Sequence, residues 1–466
     1  MQINELKPWV MPAALVIKVL VGLLLFAIHF QTYGLNELSH DGETFFKEGK
    51  ILNDVFYMSP LAYFKFLTGI GESDALVQKY LYMTEYWSGN TLSLTNDSKN
   101  VIRIHSLIHF FSLNAVYVHL SVLCFLSLAA VRNLFLSIKS YTRLKPHLLF
   151  WSLLLVPSTI FWTSSMMKEP FLFFGMTLLL RAILVKEGVW KRTLYTSLSL
   201  ILLLGFKPYV LICMLLALSV VAVYRYFFNY KLLPTLLTLS IFTILGLSFL
   251  NGPRDQVVHF ITRKQFDFVN VGKGGIHALG DTCFYYFQPH QYDAVEQTGK
   301  NLQVIKPVDA YIIRFGTTTR PKPIHLEPNS DTLVVTYFAP GCMSYIETTP
   351  IDNSYIQLIK NIPEALINSM FRPFLNDPGS NLKYLSFLEI WMLMGFFVFT
   401  LIKRRKLDDD GKALIFGLIV FALLLFTLIG WTTPVLGAIA RYRYPAQLAI
   451  VLIGLIILNP PKQFIR

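Results

Sequence analysis

Ten apolar stretches, each long or nearly long enough to cross a lipid bilayer, leave this chain few folds to choose from. They run over 9–30, 107–131, 147–164, 170–185, 194–206, 209–226, 232–250, 384–402, 413–430 and 445–459. About 20 apolar residues in a helix cross the hydrocarbon layer, and shorter pieces do so when neighbouring helices cover them. With 54% hydrophobic and only 15% charged residues over 466 positions, the chain has more apolar surface than a water-soluble globule can bury. The expectation is an all-α polytopic membrane protein of about ten transmembrane helices. The first stretch, Trp9 to Phe30, is long, carries Lys18 and lacks a small-x-small cleavage site, so it reads as a retained anchor, not a secretory signal.

The third to sixth stretches are short and form two close hairpins, broken at Met167-Lys168-Glu169-Pro170 and at Phe206-Lys207-Pro208-Tyr209. Placing Lys7 in the cytoplasm makes the connections Arg132 to Lys145, Lys186 to Arg192, Arg225 to Lys231, Lys403-Arg404-Arg405-Lys406 and Lys462 to Arg466 cytoplasmic as well. All are short and basic, as the positive-inside rule requires. Both termini then lie in the cytoplasm, and the long segments 31–106 and 251–383 lie outside together with both hairpin tips and residues 431–444.

Three regions follow: an N-terminal membrane module, 1–250, with its external loop 31–106; an external segment, 251–383; and C-terminal membrane helices, 384–466. The 31–106 loop mixes aromatic and basic residues (Tyr57, Tyr63, Phe64, Lys65, Phe66, then Tyr80, Tyr82, Tyr86, Trp87), a pattern that lies along a membrane interface. The 251–383 segment has β-like runs at Gln303-Val304-Ile305 and Thr332 to Tyr337 between turn-rich pieces, which suits a small mixed α/β extracytoplasmic cap. No internal repeat is visible, which weighs against an inverted-repeat transporter.

The net charge of +13 is scattered among the membrane segments, without the compact basic tract of a nucleic-acid binder. A lipid bilayer is the expected partner, and nucleic acid is not. None of the four cysteines forms a CxxC pair. Cys124 and Cys213 fall inside apolar segments, whereas Cys283 and Cys342 share the long external segment and can form a disulfide there. His105 and His109 stand four apart on one helical face but have no acidic third ligand nearby, so no metal site is expected.

Three constellations can carry chemistry. Asp41 and Glu43, in His40-Asp41-Gly42-Glu43, fall just outside the first span, where a carboxylate serves as a base toward a sugar or lipid hydroxyl, or is simply a solvated loop acid. Lys168 and Glu169 form a charge pair between two barely spanning helices. Charges at such depth are costly and often functional, although an interfacial ion pair or a snorkelling lysine explains them too. Arg441 and Arg443, in Arg441-Tyr442-Arg443-Tyr444-Pro445, are fixed cations at the mouth of the last span, suited to phosphate oxygens or to anchoring a helix end. Lys207 and Arg372 are similar single cations near external membrane ends. Glu389 is a lone acid within the eighth span, expected to pair with a neighbouring cation.

This arrangement resembles the GT-C superfamily of polytopic glycosyltransferases, as found in bacterial surface-polysaccharide clusters. The resemblance rests on Asp41 shortly after the first span with Glu43 as a near alternative, on Glu169 between the third and fourth, and on the stretches Pro157 to Glu169 and Thr432-Thr433-Pro434 to Pro445. Asp41-Gly42-Glu43 departs from the adjacent acids usual in that family, and 251–383 carries no family motif. The resemblance implies a bacterial inner-membrane enzyme moving a sugar from a polyprenyl-phosphate carrier to a cell-envelope glycan, lipid or protein. It needs no nucleotide-binding domain and leaves a divalent metal open. Asp41 would be the base, Glu169 would orient the acceptor or hold a lysine, and Arg441 and Arg443, with Lys168 or Lys207, would receive the leaving phosphate. The competing readings are an O-antigen-type polysaccharide polymerase or ligase, a lipid-linked saccharide flippase, and a non-enzymatic membrane scaffold.

Overall fold

A computed structural model describes residues 3–33, 40–87, 96–227, 229–232, 251–272, 342–351 and 354–461, with shorter stretches in 235–239 and 283–334 and at 464. The chain divides into two compact units. One comprises Met1–Ser219, Phe396–Leu418 and Leu448–Arg466, the other Val220–Gly395 and Ile419–Gln447.

The first unit opens with α1 (Val10–Tyr33), then α2 (His40–Met58), α3 (Pro60–Thr68), α4 (Asp74–Tyr80), α5 (Asp97–Ser112) and α6 (Val116–Ile138). It continues through α7 (Pro146–Leu154), α8 (Pro157–Trp162), α9 (Glu169–Leu184), α10 (Val189–Phe206) and α11 (Pro208–Ala222). Helix starts follow capping chemistry. Ser59, Ser73 and Asn96 each accept a backbone N–H in the first turn of the helix they precede, Pro60 following Ser59 at the start of α3, and Pro146, Pro157, Pro170 and Pro208 stand in the first turn of others.

The expected loop 31–106 is thus largely helical. Its helices α2 to α5 surround a core that includes Phe45, Leu52, Tyr63, Phe66 and Trp87. Tyr63, Phe66 and Trp87 are buried there, and only part of the aromatic series, such as Tyr57 and Phe64, faces outward. The second expected span also shifts. Leu113 and Asn114 take left-handed backbone (φ 51° and 62°), which stops α5, and the long apolar helix runs over Val116–Tyr141.

Among the described residues, five helices are long and apolar enough to cross a membrane: Val10–Ile28, Val116–Tyr141, Pro208–Phe227, Leu382–Ile402 and Asp409–Thr432. A pair bent by 48°, Leu436–Tyr442 with Tyr444–Ile457, makes a sixth if it is one span. This is a predominantly helical membrane protein. The expected spans between 147 and 206 are shorter helices. α9 packs against both α6 and α10 and is largely buried, so its apolar character is matched by protein contacts. Stretch 232–250 lies mostly outside the described residues.

The turn after α8 is also buried. Thr163, Ser164, Ser165 and Met166 are at most 1% exposed, and Lys18 of α1 donates to Thr163 Oγ1 at 3.1 Å. A Cβ on Gly22 would come within 2.5 Å of Ser164 O. The turn therefore packs against the middle of α1.

In the second unit, α12 (Asn251–Gly272) precedes six short strands: β1 (Cys283–Tyr286), β2 (Val295–Thr298), β3 (Asn301–Val304), β4 (Val308–Arg314), β5 (Lys322–Leu326) and β6 (Leu333–Val334). They form two antiparallel sheets ordered β1-β4-β5 and β2-β3-β6. Strands β2 and β3 pair with Thr298 opposite Asn301, and Val308 and Ala310 alternate into a small core with Val304 and Leu326. The run at 303–305 is thus mostly β3, and only 333–334 of the second run falls among the described residues. The 22-residue α12 was not foreseen in this turn-rich segment.

The chain continues with α13 (Tyr355–Lys360), α14 (Ile362–Met370), α15 (Leu382–Ile402), α16 (Asp409–Thr432), α17 (Leu436–Tyr442) and α18 (Tyr444–Ile457), of which α15, α16 and α18 each belong in part to the first unit. Pro434 breaks α16 from α17, and the freed backbone is satisfied by the passing segment: Ile346 donates to Pro434 O and Leu436 to Ser344 O.

Candidate active site

The two proline-marked breaks of the first unit bring their lysines to one carboxylate. Lys168 precedes α9, and Lys207 sits between α10 and α11 where Pro208 restarts the helix. Lys168 Nζ lies 2.9 Å from Asp97 Oδ2 and donates to Ser98 Oγ at 2.9 Å; Lys207 Nζ lies 3.8 Å from the same Asp97 oxygen. Asp97 is fixed by its helix start. Asn96 caps α5 by accepting from the N–H groups of Ser98 and Lys99, and so presents Asp97 and Ser98 on the first turn. Parallel stacking of Phe171 on Phe206, centroids 4.6 Å apart, clamps the start of α9 to the end of α10 beside these lysines.

Asp41 belongs to the same neighbourhood. It lies in the first turn of α2, not in a loop, and Asp41, Phe45 and Glu48 share a helical face. Phe45 meets the Tyr86 ring at 5.7 Å and the Lys168 ammonium at 5.6 Å. The Tyr86 hydroxyl bonds Ser98; its pKa is raised, first by burial and then by the Asp41 charge. A continuous set of contacts thus links Tyr86, Ser98, Lys168, Asp97 and Lys207, and the Asp41 charge is felt at its Tyr86 end.

Electrostatics separate the acids. Burial works against ionisation of Asp97, but Lys168 and Lys207 outweigh it and hold the carboxyl below its ordinary range. A carboxylate so stabilised is a weak base and a firm anchor for the two ammonium groups. Glu48 behaves oppositely. Burial raises its pKa to about 7 even though the backbone N–H groups of Glu85 and Tyr86 favour its ionised form, and its Oε2 is buried with no hydrogen-bond partner. Glu43 pairs with Lys47 along α2, and Glu169 is buried as the first residue of α9.

A second charged cluster draws on the following residues of α5. Arg103 donates to Glu72 Oε1 at 2.7 Å, to Phe66 O at 2.7 Å and to Asn100 Oδ1 at 2.8 Å, while Lys99 Nζ stands 3.8 Å from Glu72 Oε2 and 5.1 Å above the Trp87 ring. These contacts pin α5 to the 66–72 connection. The histidines are likewise occupied by protein partners: His105 and His119 share a hydrogen bond at 2.8 Å, and His109 bonds Asn114 and the Phe46 carbonyl.

The arginines of the second unit have structural partners. Arg443, expected at the mouth of the last span as a phosphate donor or a helix anchor, is fully buried. It donates to the carbonyls of Ser369 and Arg372 and to Ser386 Oγ at 2.7 Å, with Glu389 as the attracting charge. Its planar fork ties the end of α14 to α15. Arg372 pairs with Asp377 at 3.0 Å, and Arg441 lies in the last turn of α17. Cys342 is a free, exposed thiol 3.4 Å from Ser344 Oγ, and the side chain of Cys283, its expected partner, lies outside what is described.

No protein-family model, curated protein or solved structure matches this chain. What it does must be argued from the clusters themselves.

Proposed function

We propose that the protein is a membrane glycosyltransferase that moves a sugar from a polyprenyl-phosphate carrier to a cell-envelope acceptor on the extracytoplasmic face of a bacterial inner membrane. The observation that carries this reading is the convergence of Lys168 and Lys207 on Asp97, in a network whose Tyr86 feels the charge of Asp41. Two ammonium groups sharing one carboxylate retain a net positive charge for a phosphate that arrives and then leaves. Asp41 takes the proton of the acceptor hydroxyl as its oxygen bonds the anomeric carbon. The bond from that carbon to the carrier phosphate breaks, and the phosphate keeps the electron pair beside Lys168 and Lys207. Arg443 acts as a positioning residue, not as a phosphate ligand. In this reading the chain makes about ten passes with both termini cytoplasmic, the second of them over Val116–Tyr141, and the two small sheets belong to an external cap.

The test is sugar transfer in proteoliposomes charged with extracted polyprenyl-phosphate sugars, comparing the native chain with Asp41→Asn and with Lys168→Met. Transfer by the native chain, lost in both folded variants, is the expected result. Equal transfer by Asp41→Asn removes Asp41 as the base. Absence of transfer by the native chain overturns the reaction and leaves a flippase or scaffold.

A further inference from the structure

Two arginines feel each other's charge where the later turns of α6 and α9 meet the start of α10, and only one of them has its hydrogen bonds made. Arg181, in the last turn of α9, donates through Nε to Glu187 Oε1 at 3.0 Å and through Nη1 to Asn133 Oδ1 at 2.8 Å. Its guanidinium also lies over the Tyr195 ring of α10, 4.7 Å from the centroid. Arg132, the residue before Asn133 on α6, lies within electrostatic reach of Arg181, Glu187 and Tyr195. Among the described residues its side chain makes no hydrogen bond and no ion pair, and its Nε is buried without a partner. The residue as a whole is only partly buried, so the outer nitrogens of its fork are open to a ligand.

Glu187 spends Oε1 on Arg181 and forms no ion pair with Arg132, so two guanidinium groups and one carboxylate keep a single positive charge. An arginine left without an acceptor beside a second arginine is unfavourable, and an oxyanion that takes both N–H groups of the fork relieves it. Depth says which oxyanion. About 20 helical residues cross the hydrocarbon layer; counted from Val116 they end near Phe135, so Arg132 stands one turn inside that end, where a long cationic side chain reaches the headgroup phosphates. Val189 and Trp190, in the first turn of α10, are each 80% exposed beside Lys186, Lys191 and Arg192, the mixture of aromatic, apolar and basic residues that suits a membrane boundary. A phosphodiester carries one negative charge and two unbridged oxygens, which match the residual charge and the fork. The basic rim disfavours a headgroup that also bears an ammonium group.

We propose that Arg132, backed by Arg181, binds the phosphodiester of an anionic phospholipid at this end of the bilayer. The inference needs only that α6 crosses the membrane, and it uses none of the residues named for sugar transfer.

The test is native mass spectrometry of the full chain in an uncharged, phosphate-free detergent, with phosphatidylglycerol, phosphatidylcholine and inorganic phosphate as probes. Phosphatidylglycerol should be retained in preference to phosphatidylcholine, and inorganic phosphate in excess should not displace it, because the acyl chains add to the binding. Arg132→Met keeps most of the side-chain stem and removes the guanidinium, and it should weaken retention about ten-fold. Arg404→Met, which removes an exposed arginine from the 403–406 connection, should leave retention unchanged. Arg132→Lys keeps the charge without the fork and should fall between the native chain and Arg132→Met; should Arg132→Met fail to fold, Arg132→Lys carries the comparison. The proposal is overturned if the Arg132 variants retain the lipid as the native chain does, or if Arg404→Met weakens retention equally, the basic face then acting only by general attraction. Displacement by inorganic phosphate overturns it too, the ligand then being a soluble phosphate.

Discussion

Lys168 Nζ and Asp97 Oδ2 stand 2.9 Å apart although 71 positions separate them, and Lys207 reaches the same oxygen at 3.8 Å. The carboxylate therefore joins the ends of three helices, and its loss leaves two lysines facing each other. Asp97→Asn is expected to destabilise the protein by about 1–3 kcal/mol at neutral pH, read as a lower unfolding temperature in nanodiscs. Because the folded pKa of Asp97 is depressed, its contribution is present above the unfolded value of 3.8 and is lost as pH falls through the lower folded value. The difference between native and variant should thus shrink only in strong acid. A difference that shrinks between neutral pH and the unfolded value would contradict this assignment.

Glu72 serves two buried cations at once. Glu72→Gln leaves Arg103 and Lys99 without their counter-charge in a site that is at most 7% exposed, and a loss of about 3–5 kcal/mol is expected. Lys99→Met should be far milder, since Lys99 Nζ makes no hydrogen bond that the substitution would break. Chemical unfolding followed by Trp fluorescence ranks the two. Equal losses would mean that Lys99, not Glu72, holds the cluster.

Glu48 gives the protein a pH dependence of the opposite sign. Its folded pKa, about 7, is raised above the ordinary 4.5, so the stabilisation it contributes is complete below the lower value and disappears as pH rises through about 7. Glu48→Gln fixes the neutral form. The variant should match the native protein at about pH 4.5 and gain on it steadily toward about pH 7.5, as measured by unfolding temperature. No change in the difference across that window would place Glu48 in contact with solvent.

Hydropathy and proline made part of this site legible. The breaks at Lys168-Glu169-Pro170 and Lys207-Pro208 stand out because charge and proline interrupt apolar runs, and both lysines reach the site. Asp97 was missed because Asn96-Asp97-Ser98 sits in a polar stretch that reads as loop. Its signal was the capping pattern before Val101 and Ile102, and that pattern does not reveal which distant cations fold onto it. Arg443 misled for the converse reason. Flanking tyrosines suggest an interface, but full burial against Ser369, Arg372 and Ser386 is a tertiary property with no local signature. A hydropathy window likewise merged the end of α5 with α6, since it does not register two left-handed residues at Leu113 and Asn114.

Cys342 tests the proposed topology. It is exposed and free, whereas Cys124 and Cys213 are buried among apolar side chains. In a Cys283→Ser background, a membrane-impermeant maleimide added to intact spheroplasts should label one site, and Cys342→Ser should abolish that label. Labelling only after the membrane is opened would put the 251–383 segment in the cytoplasm and reverse the orientation.

Two glycines in apolar helices should respond in opposite ways to the same added methyl group. At Gly430 a Cβ would fall 1.9 Å from Ala365 O and 2.4 Å from Ala365 C, backbone atoms that cannot move aside without shifting α14. Gly430→Ala should therefore separate α14 from α16 and destabilise the protein by about 1–3 kcal/mol or more. At Gly395 nothing lies within 4 Å, so Gly395→Ala adds helix propensity without a clash and should be neutral or stabilising by up to about 1 kcal/mol. Unfolding temperatures of the two variants, measured side by side in one lipid, decide the matter. A tolerated Gly430→Ala would mean that α14 and α16 do not approach as closely as the Ala365 backbone implies.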